Sequence, residues 1–299
     1  MLLRHSVHIE KRMDWAIGVY AGGALTGLAD DRMTVNPVLT ADDVTDTDAE
    51  YVADPFAIKS DGRWYLFFEI LSQRSAHGEI GLAESVDGRE WEYRGVVLDE
   101  PFHLSFPYVF AWGDAVYLVP ESAAFGAVRL YRAVSFPEQW EHVATLLQGR
   151  YADSAVFRRG GRWWILTCAA PWSHDTLRLF WADSLAGPYR EHPRSPVVSG
   201  DARRGRPGGR VVEIDGRLVW FAQDCTSAYG RLVRAFEITS LDTARFTMRP
   251  FAKQPIVKAR PGGWNRHGMH HVDPYRQDSG TWVAYVDGYR KFLTIRIEY

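Results

Sequence analysis

The chain has 299 residues, of which 46% are hydrophobic and 24% charged, a balance that is typical of a folded globular chain and excludes intrinsic disorder. Lys and Arg number 35 and Asp and Glu 37, for a net charge of -2. With no basic excess to bind a polyphosphate backbone, we predict no nucleic-acid partner. The two cysteines, Cys168 and Cys225, cannot build a disulfide framework or a cysteine-based zinc site.

The N-terminal segment, MLLRHSVHIEKRMDW, lacks the apolar stretch of a secretion signal. No part of the sequence approaches the roughly 20 apolar residues of a membrane span. We therefore expect no leader peptide, no membrane span and a cytosolic location. Two short strands are predicted in the region that follows, at 15–20 and 36–40.

Five hairpin-like segments come next, each with a short apolar strand, a turn and a second strand. They are DPFAIKSDGRWYLFFE at 54–69, FPYVFAWGDAVYLVPE at 106–121, DSAVFRRGGRWWILTC at 153–168, GGRVVEIDGRLVWFAQ at 208–223 and HHVDPYRQDSGTWVAYVD at 270–287. The second strands recur at intervals of about 50 residues, which is the spacing of propeller blades.

Each of the first four hairpins is followed by two further strands, which gives four strands per blade. The third strands are predicted at 79–84, 127–133, 176–182 and 230–237, and the outer strands at 96–98, 144–147, 196–198 and 255–257. Too little chain follows the fifth hairpin to complete its blade. We therefore expect the N-terminal strands to supply the missing outer strands, because a closed ring leaves no open sheet edge.

These elements predict an all-β fold, a single five-bladed β-propeller domain over residues 1–299 whose ring is closed by N-terminal strands. The blades are expected near 54–100, 106–148, 153–198, 206–257 and 270–299, with N-terminal strands at 15–40. A β-sandwich also contains many short strands, but the five-fold register favours the propeller.

Charged side chains gather at one face of the predicted ring. In a blade, the first strand starts and the second strand ends on the same face, since the two strands are antiparallel. The residues at these ends are Asp54, Glu69, Glu121, Asp153, Arg206, Gln223, Asp224, His270, His271, Asp273 and Asp287. Such convergent carboxylates suit acid and base chemistry on a glycosidic bond.

Each of these residues also has an ordinary structural explanation. An Asp before Pro, such as Asp54, is common at turns and strand starts, and a single His such as His271 is common in cores. The Asp-Gly pairs at 61–62 and 215–216 are typical of hairpin turns. What these explanations do not cover is the convergence of several carboxylates from different blades on one mouth, which is costly unless they are paired.

Three motifs resemble those of family 43 glycoside hydrolases, which are five-bladed propellers. They are ADPF around Asp54, YADSAVF around Asp153 and HGMHHVD…SGTW at 267–282. The resemblance implies that Asp54 is the general base and that Asp153 tunes the acid and orients the substrate. It also implies that a fifth-blade histidine lies under the site, near a central metal ion or an ordered water at His271.

A second resemblance covers nearly the whole chain. The segments YVADPF…DGRWYLFFE, EIGLAES, LDEPFHLSFPYVF, YLVPES, LRLFWADSLAGPY, RPGGR and AQDC…YGRLVRA are similar to the N-terminal propeller of plant glucosamine inositolphosphorylceramide transferases and to stand-alone bacterial chains. In the plant proteins a separate glycosyltransferase domain follows. Because this sequence ends at Tyr299, we expect that domain to be absent.

One position departs from the family 43 pattern. That family places its acid, a Glu, at the start of the fourth blade, where this chain has Arg206. A guanidinium does not give up its proton, so it cannot be the acid, but it can pair with a carboxylate or phosphate. Glu121 is our candidate for the acid; the alternatives are Glu69, Asp224, His267, His270 and His271.

The predicted catalytic residues are therefore Asp54, Asp153 and Glu121. The predicted substrate-binding residues are Arg206, His270, His271, Glu69, Asp224, Asp287 and His103. We assign no metal ligands and no cofactor. The histidines at 267, 270 and 271 are metal-binding residue types, but they stand on an irregular segment before a strand.

Three hypotheses for function follow. The first is a carbohydrate-active enzyme that cleaves or transfers a glycosyl unit. The second is a non-catalytic module that binds a sugar or sugar phosphate for a partner transferase, and the third is a propeller reused for a different tailoring reaction. The predicted ligand is a small-molecule carbohydrate or a glycoconjugate, although the third hypothesis also admits another metabolite, and the oligomeric state is not fixed.

Overall fold

The computed structural model describes the backbone of residues 6–298 and the side chains of residues 12–293. Its strands form five sheets that are arranged as the blades of a ring. The chain begins in the blade that it later completes. These first elements are β1 (Ser6–Gly22) and β2 (Ala29–Asp30), with short 3-10 turns at Leu25–Gly27 and Ala41–Asp43.

The first and second blades each have four antiparallel strands in sequence order. The first contains β3 (Ala49–Ser60), β4 (Arg63–Ser72), β5 (His77–Ser85) and β6 (Glu92–Leu98). The second contains β7 (Ser105–Trp112), β8 (Ala115–Glu121), β9 (Ala127–Ser135) and β10 (Gln139–Gln148). All eight strands were predicted, but β3 begins at Ala49 and not at Asp54, and β6 and β10 are longer than the predicted outer strands at 96–98 and 144–147.

The third and fourth blades have less regular outer edges. The third contains β11 (Ala152–Arg159), β12 (Arg162–Cys168), β13 (Leu177–Ala182) and β14 (Arg190–Glu191). The fourth contains β15 (Arg206–Pro207), β16 (Val212–Ile214), β17 (Arg217–Asp224), β18 (Leu232–Leu241), β19 (Phe246–Pro250) and β20 (Val257–Lys258).

The fifth blade contains β21 (Val272–Arg276) and β22 (Trp282–Glu298), joined by β1 and β2. β1 pairs with β22 along its whole length, from Ser6 opposite Glu298 to Gly22 opposite Trp282. The segment before the first blade adds an outer contact, a bridge between Leu39 and Ile17. The prediction of a five-bladed ring closed by N-terminal strands is thus confirmed.

Three predicted outer strands differ from the structure. The segment 36–40 makes only the bridge between Leu39 and Ile17, and the segment 255–257 overlaps β20 at Val257 alone. The segment 196–198 does not form a ladder and makes only a single bridge, between Val198 and Leu177. The outer strand of the third blade is instead β14, which pairs with β13. Pro196 lacks an N–H, so this segment offers fewer ladder donors than a strand requires.

The hairpin turns follow from their sequences. Asp61 and Gly62 have φ values of 49° and 80°, and Asp215 and Gly216 have 49° and 76°. Positive φ at both central residues is typical of the type I′ turn, whose twist matches that of the flanking strands. The turns therefore fix the register that carries the site residues to the opposite end of each hairpin.

An ion pair connects the inner strands of several blades. Arg210 Nε lies 2.7 Å from Asp273 Oδ1, and both side chains are largely buried. The same guanidinium donates to the carbonyl oxygens of Val109 and Ala57 at 2.8 and 3.0 Å. Arg210 thus links the inner strands of three blades, and Asp273 is its partner on the fifth blade.

Cys168 and Cys225 are free thiols. Among the described residues, no helix is long and apolar enough to cross a membrane.

Candidate active site at the mouth of the propeller

A repeated backbone distortion places the acidic residues at one mouth of the ring. Asp54, Phe106 and Asp153 have φ values of 53°, 44° and 50°. Each lies where the register of its inner strand shifts by one residue against the second strand. Such a bulge turns the inner strand and redirects the side chain. Positive φ in non-glycine residues is uncommon and clusters at functional sites.

Asp153 is held by the fourth blade. Arg206 Nε lies 2.5 Å from Asp153 Oδ2, and Arg206 Nη2 lies 3.2 Å from Oδ1, so the pair is bidentate. Gln223 Nε2 donates to Asp153 Oδ2 at 2.7 Å. Burial alone would raise the pKa of Asp153, but the charge and hydrogen bonds of Arg206 hold it below its ordinary value. Asp153 is therefore ionised at neutral pH.

Glu121 is the neighbouring carboxyl group in the opposite protonation state. Burial, followed by the charge of Asp153, raises the pKa of Glu121 well above its ordinary value. The two carboxyl groups are hydrogen-bonded to each other, and Arg206 Nη2 lies 3.6 Å from Glu121 Oε2. The raised pKa favours the protonated form of Glu121, whose O–H then donates a hydrogen bond to the ionised Asp153.

Asp54 lies on the fifth-blade side of this pair. Its Oδ2 accepts a hydrogen bond from the backbone N–H of Phe106 at 3.2 Å. Its Oδ1 lies 3.7 Å from Nδ1 of both His270 and His271. Burial raises the pKa of Asp54 to about 7, although the nearby His270 opposes the shift. Asp54 is thus poised to gain or lose a proton near neutral pH.

Asp287 is an anchor for this region and does not face a ligand. It is fully buried and accepts backbone hydrogen bonds from Asp54, His270 and His271 at 3.1, 3.0 and 3.0 Å. His270 Nδ1 lies 2.7 Å from Asp287 Oδ2. Burial would lower the pKa of His270, but Asp287 raises it above its ordinary value. The ring of Trp15 stacks on His270 at 4.1 Å between centroids.

His271 lies beneath Asp54 and is fully buried. Burial lowers its pKa to about 3, so the imidazole is neutral. The backbone of Pro55 approaches the ring. Among the described residues, however, neither nitrogen of His271 forms a hydrogen bond with acceptable geometry. The Oδ1 atom of Asp54 has no hydrogen-bond partner there either. A neutral imidazole has one donor and one acceptor to satisfy, so these atoms fit an ordered water.

A metal ion fits these residues less well. Ligand atoms of Asp54, His270 and Asp287 lie within 4.8 Å of one another. However, His270 Nδ1 lies 2.7 Å from Asp287 Oδ2, and the charge of Asp287 raises the pKa of His270, which favours the protonated imidazole. A histidine must be neutral to bind a metal ion, so this set is better described as an ion pair.

Glu69 and His103 form a second carboxyl–imidazole pair. His103 Nδ1 accepts the backbone N–H of Gly78 at 2.9 Å, which leaves the Nε2 proton directed to Glu69 Oε1 at 3.5 Å. Tyr51 donates to the same oxygen at 3.4 Å. Burial, then the charges of Asp54 and Glu121, raises the pKa of Glu69 well above its ordinary value.

A cavity of about 380 Å³ opens above these groups. Its polar wall contains His103, Glu121, Arg150 and Arg206, and its rim carries Trp172. The Trp172 side chain is 90% exposed. An exposed aromatic ring beside convergent polar groups is the arrangement that binds a sugar ring.

The sequence-predicted residues are thus placed at two depths. Three of them line the cavity: Glu121, Arg206 and His103. Four others are buried behind these lining residues and do not line the cavity themselves: Asp54, Asp153, Glu69 and His270. His271 and Asp287 form the support below.

Two candidates lie apart from this cluster. Asp224 pairs with Arg234 at 2.7 Å and accepts a hydrogen bond from Thr226. Side chains alternate along a strand, so Gln223 points to Asp153 and its neighbour Asp224 points away. The interpretation of Asp224 as a substrate or acid residue is therefore corrected to a structural role. His267 is exposed, and its Nδ1 accepts the backbone N–H of Lys291.

Several residues of the site have no motif that predicts them. Tyr229 packs on Arg206 and on His270, and His174 Nδ1 lies 3.1 Å from Arg206 Nη1. Trp172 and Arg150 complete the cavity. These four residues stand on connections between strands, where periodicity gives no direction. An unexplained Trp in the connection after the third hairpin was the one available signal.

Comparison with known proteins identifies the family. The family model described as glucosamine inositolphosphorylceramide transferase 1, N-terminal, matches residues 9–289, and the chain belongs to this family. It is 34% identical to glucosamine inositolphosphorylceramide transferase 1 of Oryza sativa subsp. japonica, over 92% of this chain and 40% of the rice protein. The chain thus spans about two fifths of the length of the curated relatives it matches.

Solved structures share the fold at low identity. The catalytic domain of an α-L-arabinofuranosidase from Coprinopsis cinerea superposes with a TM-score of 0.60 at 14% identity, covering 93% of this chain and 97% of that one. A β-1,2-mannobiose phosphorylase from Listeria innocua gives 0.61 at 14% identity, covering 90% and 96%. These likenesses support the five-bladed propeller.

Proposed function

We propose that this chain is a carbohydrate-active enzyme that cleaves or transfers a glycosyl unit at the mouth of its propeller. One observation carries the proposal: Glu121 and Asp153, carboxyl groups from two blades, meet beside Arg206 at one cavity. Arg206 lowers the pKa of Asp153, while burial raises the pKa of Glu121. Neighbouring carboxyl groups with separated pKa values are what acid–base catalysis on a glycosidic bond requires.

In this proposal Glu121 is the acid, because its carboxyl group lines the cavity and is protonated. Asp54 is the base, since a pKa of about 7 makes it able to accept a proton near neutral pH. Asp153 positions Glu121 through their hydrogen bond and contributes no proton of its own.

The reaction follows from these roles. A water or an acceptor hydroxyl loses its proton to Asp54 as its oxygen forms a bond to the anomeric carbon. The bond from that carbon to the leaving oxygen breaks, and Glu121 gives its proton to this oxygen. Proton exchange with solvent then restores both carboxyl groups.

The cavity supports a glycosyl ligand. Its volume of about 380 Å³ falls within the usual range of small-molecule sites, roughly 300–1,000 Å³. Trp172 offers an exposed face for stacking, while Arg150 offers donors for hydroxyl groups. The names of the relatives, which refer to an inositolphosphorylceramide and to glucosamine, favour the sugar headgroup of a glycolipid as the substrate.

A specific observation favours the second candidate, a non-catalytic sugar-binding module. Arg206 stands where family 43 carries its acid, and its guanidinium is already paired with Asp153 and near Glu121. Asp54 is only 5% exposed, which limits its access to a bound ligand. In this alternative the propeller would hold a glycan for a transferase.

Activity of two variants separates these candidates. We expect Asp54→Asn and Glu121→Gln each to lower turnover by about 10²–10⁴, because an amide can neither accept nor donate the transferred proton. Turnover is measured on a panel of nitrophenyl glycosides and nucleotide sugars, and binding of the same compounds by thermal shift. Binding should be retained in both variants.

Asp224→Asn is the matched control, because it changes a buried carboxylate of the same face that lies apart from the cavity. It should keep wild-type turnover. Ligand binding by the wild type without any turnover would favour the binding module. Full activity of Asp54→Asn on a turned-over substrate would instead favour a different reaction in the same pocket.

A further inference from the structure

A second and larger cavity lies at the junction of the fifth and first blades. Its volume is about 610 Å³, and β1, the start of β3 and the segment around Trp264 line it. Two of the strands that line it also carry residues of the candidate active site or pair with them. Glu50 precedes Asp54 by four residues along β3, a distance of about 13 Å, and Ala16 pairs with Gly288, the neighbour of Asp287.

The β1–β22 pair leaves room for Trp264, the aromatic residue in the wall of this cavity. The six-membered ring of Trp264 sits against two glycines of the β1–β22 pair. A Cβ on Gly18 would lie 2.4 Å from Trp264 Cζ2, and one on Gly288 would lie 3.1 Å from Cζ3. Side chains at these positions would displace the indole, so the two glycines fix Trp264 at the cavity wall.

The polar wall carries groups that are free to bind a ligand. Asp14 and Arg290 pair with each other at 2.6 Å. Within the part of the chain that the structure describes, the side chains of Glu50 and Arg266 form neither an ion pair nor a hydrogen bond. Trp264 contributes its ring to the lining, whereas its Nε1 donor is buried.

The balance of charges indicates the class of ligand. Carboxylates and guanidinium groups are both present, so the cavity has no net positive wall to select an anion. An indole ring with mixed donors and acceptors around it instead matches a neutral polyhydroxylated ring, which offers apolar C–H faces and hydroxyl edges.

We infer that this cavity is a second saccharide subsite, which holds a sugar unit of the same glycan whose terminal unit enters the active-site cavity. The inference rests on the proposed function for its ligand class. It adds a length requirement, because a glycan must be long enough to reach both cavities before the second one contributes.

The test measures binding against chain length by calorimetry. The probes are gluco-, manno-, galacto- and arabino-oligosaccharides of one to six units. The subsite variant is Glu50→Gln with Arg266→Ala, which removes two unpartnered groups without disturbing Trp264. The control is Glu138→Gln with Arg132→Ala, which changes two exposed residues of the second blade in the same way. A third variant, Trp172→Ala, removes the aromatic ring of the active-site cavity.

For the wild type we expect affinity to rise at one chain length. At that chain length, the affinity of the subsite variant should be at least about tenfold lower than that of the wild type, since each group removed makes a charge-assisted hydrogen bond in the proposal. It should keep wild-type affinity for shorter glycans. Trp172→Ala should weaken binding at every length, and the control should match the wild type.

The two ideas fail in different ways. If the subsite variant binds every length as the wild type does, while Trp172→Ala binds weakly, the inference is overturned and the proposed function stands. Length-dependent loss in the subsite variant with normal binding by Trp172→Ala would keep the saccharide subsite and reject the proposed active site. Absence of binding by the wild type to all probes overturns both.

Discussion

Replacing Asp54 by asparagine should stabilise the fold in a way that grows with pH. The carboxyl group has an ordinary pKa of 3.8, and burial raises it to about 7 in the folded protein. The folded state therefore binds a proton more tightly than the unfolded state does. Between these two values, each increase in pH removes stability from the wild type.

The size of the effect follows from the two pKa values. Ionising Asp54 in the folded state costs at most about 4 kcal/mol at pH 8.5, since each pKa unit corresponds to about 1.4 kcal/mol. At pH 4 the same cost is under about 1 kcal/mol, because Asp54 is then protonated in the folded protein. The amide of the Asp54→Asn variant never ionises and escapes this cost.

Asparagine also suits the position sterically. Asp54 has a φ of 53°, a left-handed conformation that Asn adopts more readily than most residues. The side-chain oxygen of the amide can still accept the N–H of Phe106. The substitution therefore changes charge with little change in shape.

Urea unfolding of both proteins from about pH 4 to pH 8.5 measures this difference. Comparing variant with wild type at each pH cancels the titration of the groups that Asp54 does not influence. The charge of Asp54 also raises the pKa values of Glu69 and Glu121, so its removal relieves these groups as well and favours the variant at high pH in the same direction. A difference that is constant across this range, or one that favours the wild type at high pH, would refute the reasoning. It would mean that attraction to His270 outweighs burial in the energetics of ionised Asp54.

Two further predictions concern the backbone and the histidines. Gly209→Ala should destabilise the fold by at least about 3 kcal/mol, because Gly209 has a φ of 146° and a Cβ would lie 1.9 Å from the carbonyl oxygen of Val272. In the same urea assay Gly160→Ala, at a φ of 59° with open space around it, should cost only about 1 kcal/mol. Histidine ¹⁵N spectra recorded against pH should show His270 titrating above its ordinary pKa of 6.5, whereas His271, with a pKa of about 3, stays neutral above pH 4; a protonated His271 at pH 5 would contradict the burial argument.

The architecture was predictable because local signals repeat. Turn residues such as Asp61-Gly62 and Asp215-Gly216 mark hairpins at a near-constant spacing, and antiparallel pairing then sends both ends of each hairpin to one face. The positions opposite each other in the first and second blades, Ala53 with Glu69 and Ser105 with Glu121, follow that register. The gathering of acidic residues at one mouth therefore needed no knowledge of tertiary contacts.

The finer arrangement was not predictable, for physical reasons. The bulges at Asp54 and Asp153 add one residue to the inner strand, and nothing in the local sequence demands a positive φ there. Side chains alternate along a strand, so Gln223 and Asp224 must point to opposite sides of the sheet. Only the exact strand register tells which of the two points to the site. The connections that carry Trp172 and Tyr229 are set by packing between blades, which one sequence does not encode in a periodic pattern.

Arg206 determines how the proposed acid and base can coexist. It remains a cation, so the fourth blade supplies a fixed positive charge where family 43 supplies a proton. That charge is directed at Asp153, in a bidentate contact that leaves Glu121 at a longer 3.6 Å. The two carboxyl groups thereby differ. Arg206 lowers the pKa of Asp153, while burial and the charge of Asp153 raise the pKa of Glu121 against the opposing charge of Arg206, so the proton is favoured on the residue that lines the cavity. In the proposed mechanism the acid has thus moved from the fourth blade to the second, and Arg206 is the residue that makes Glu121 able to take this role.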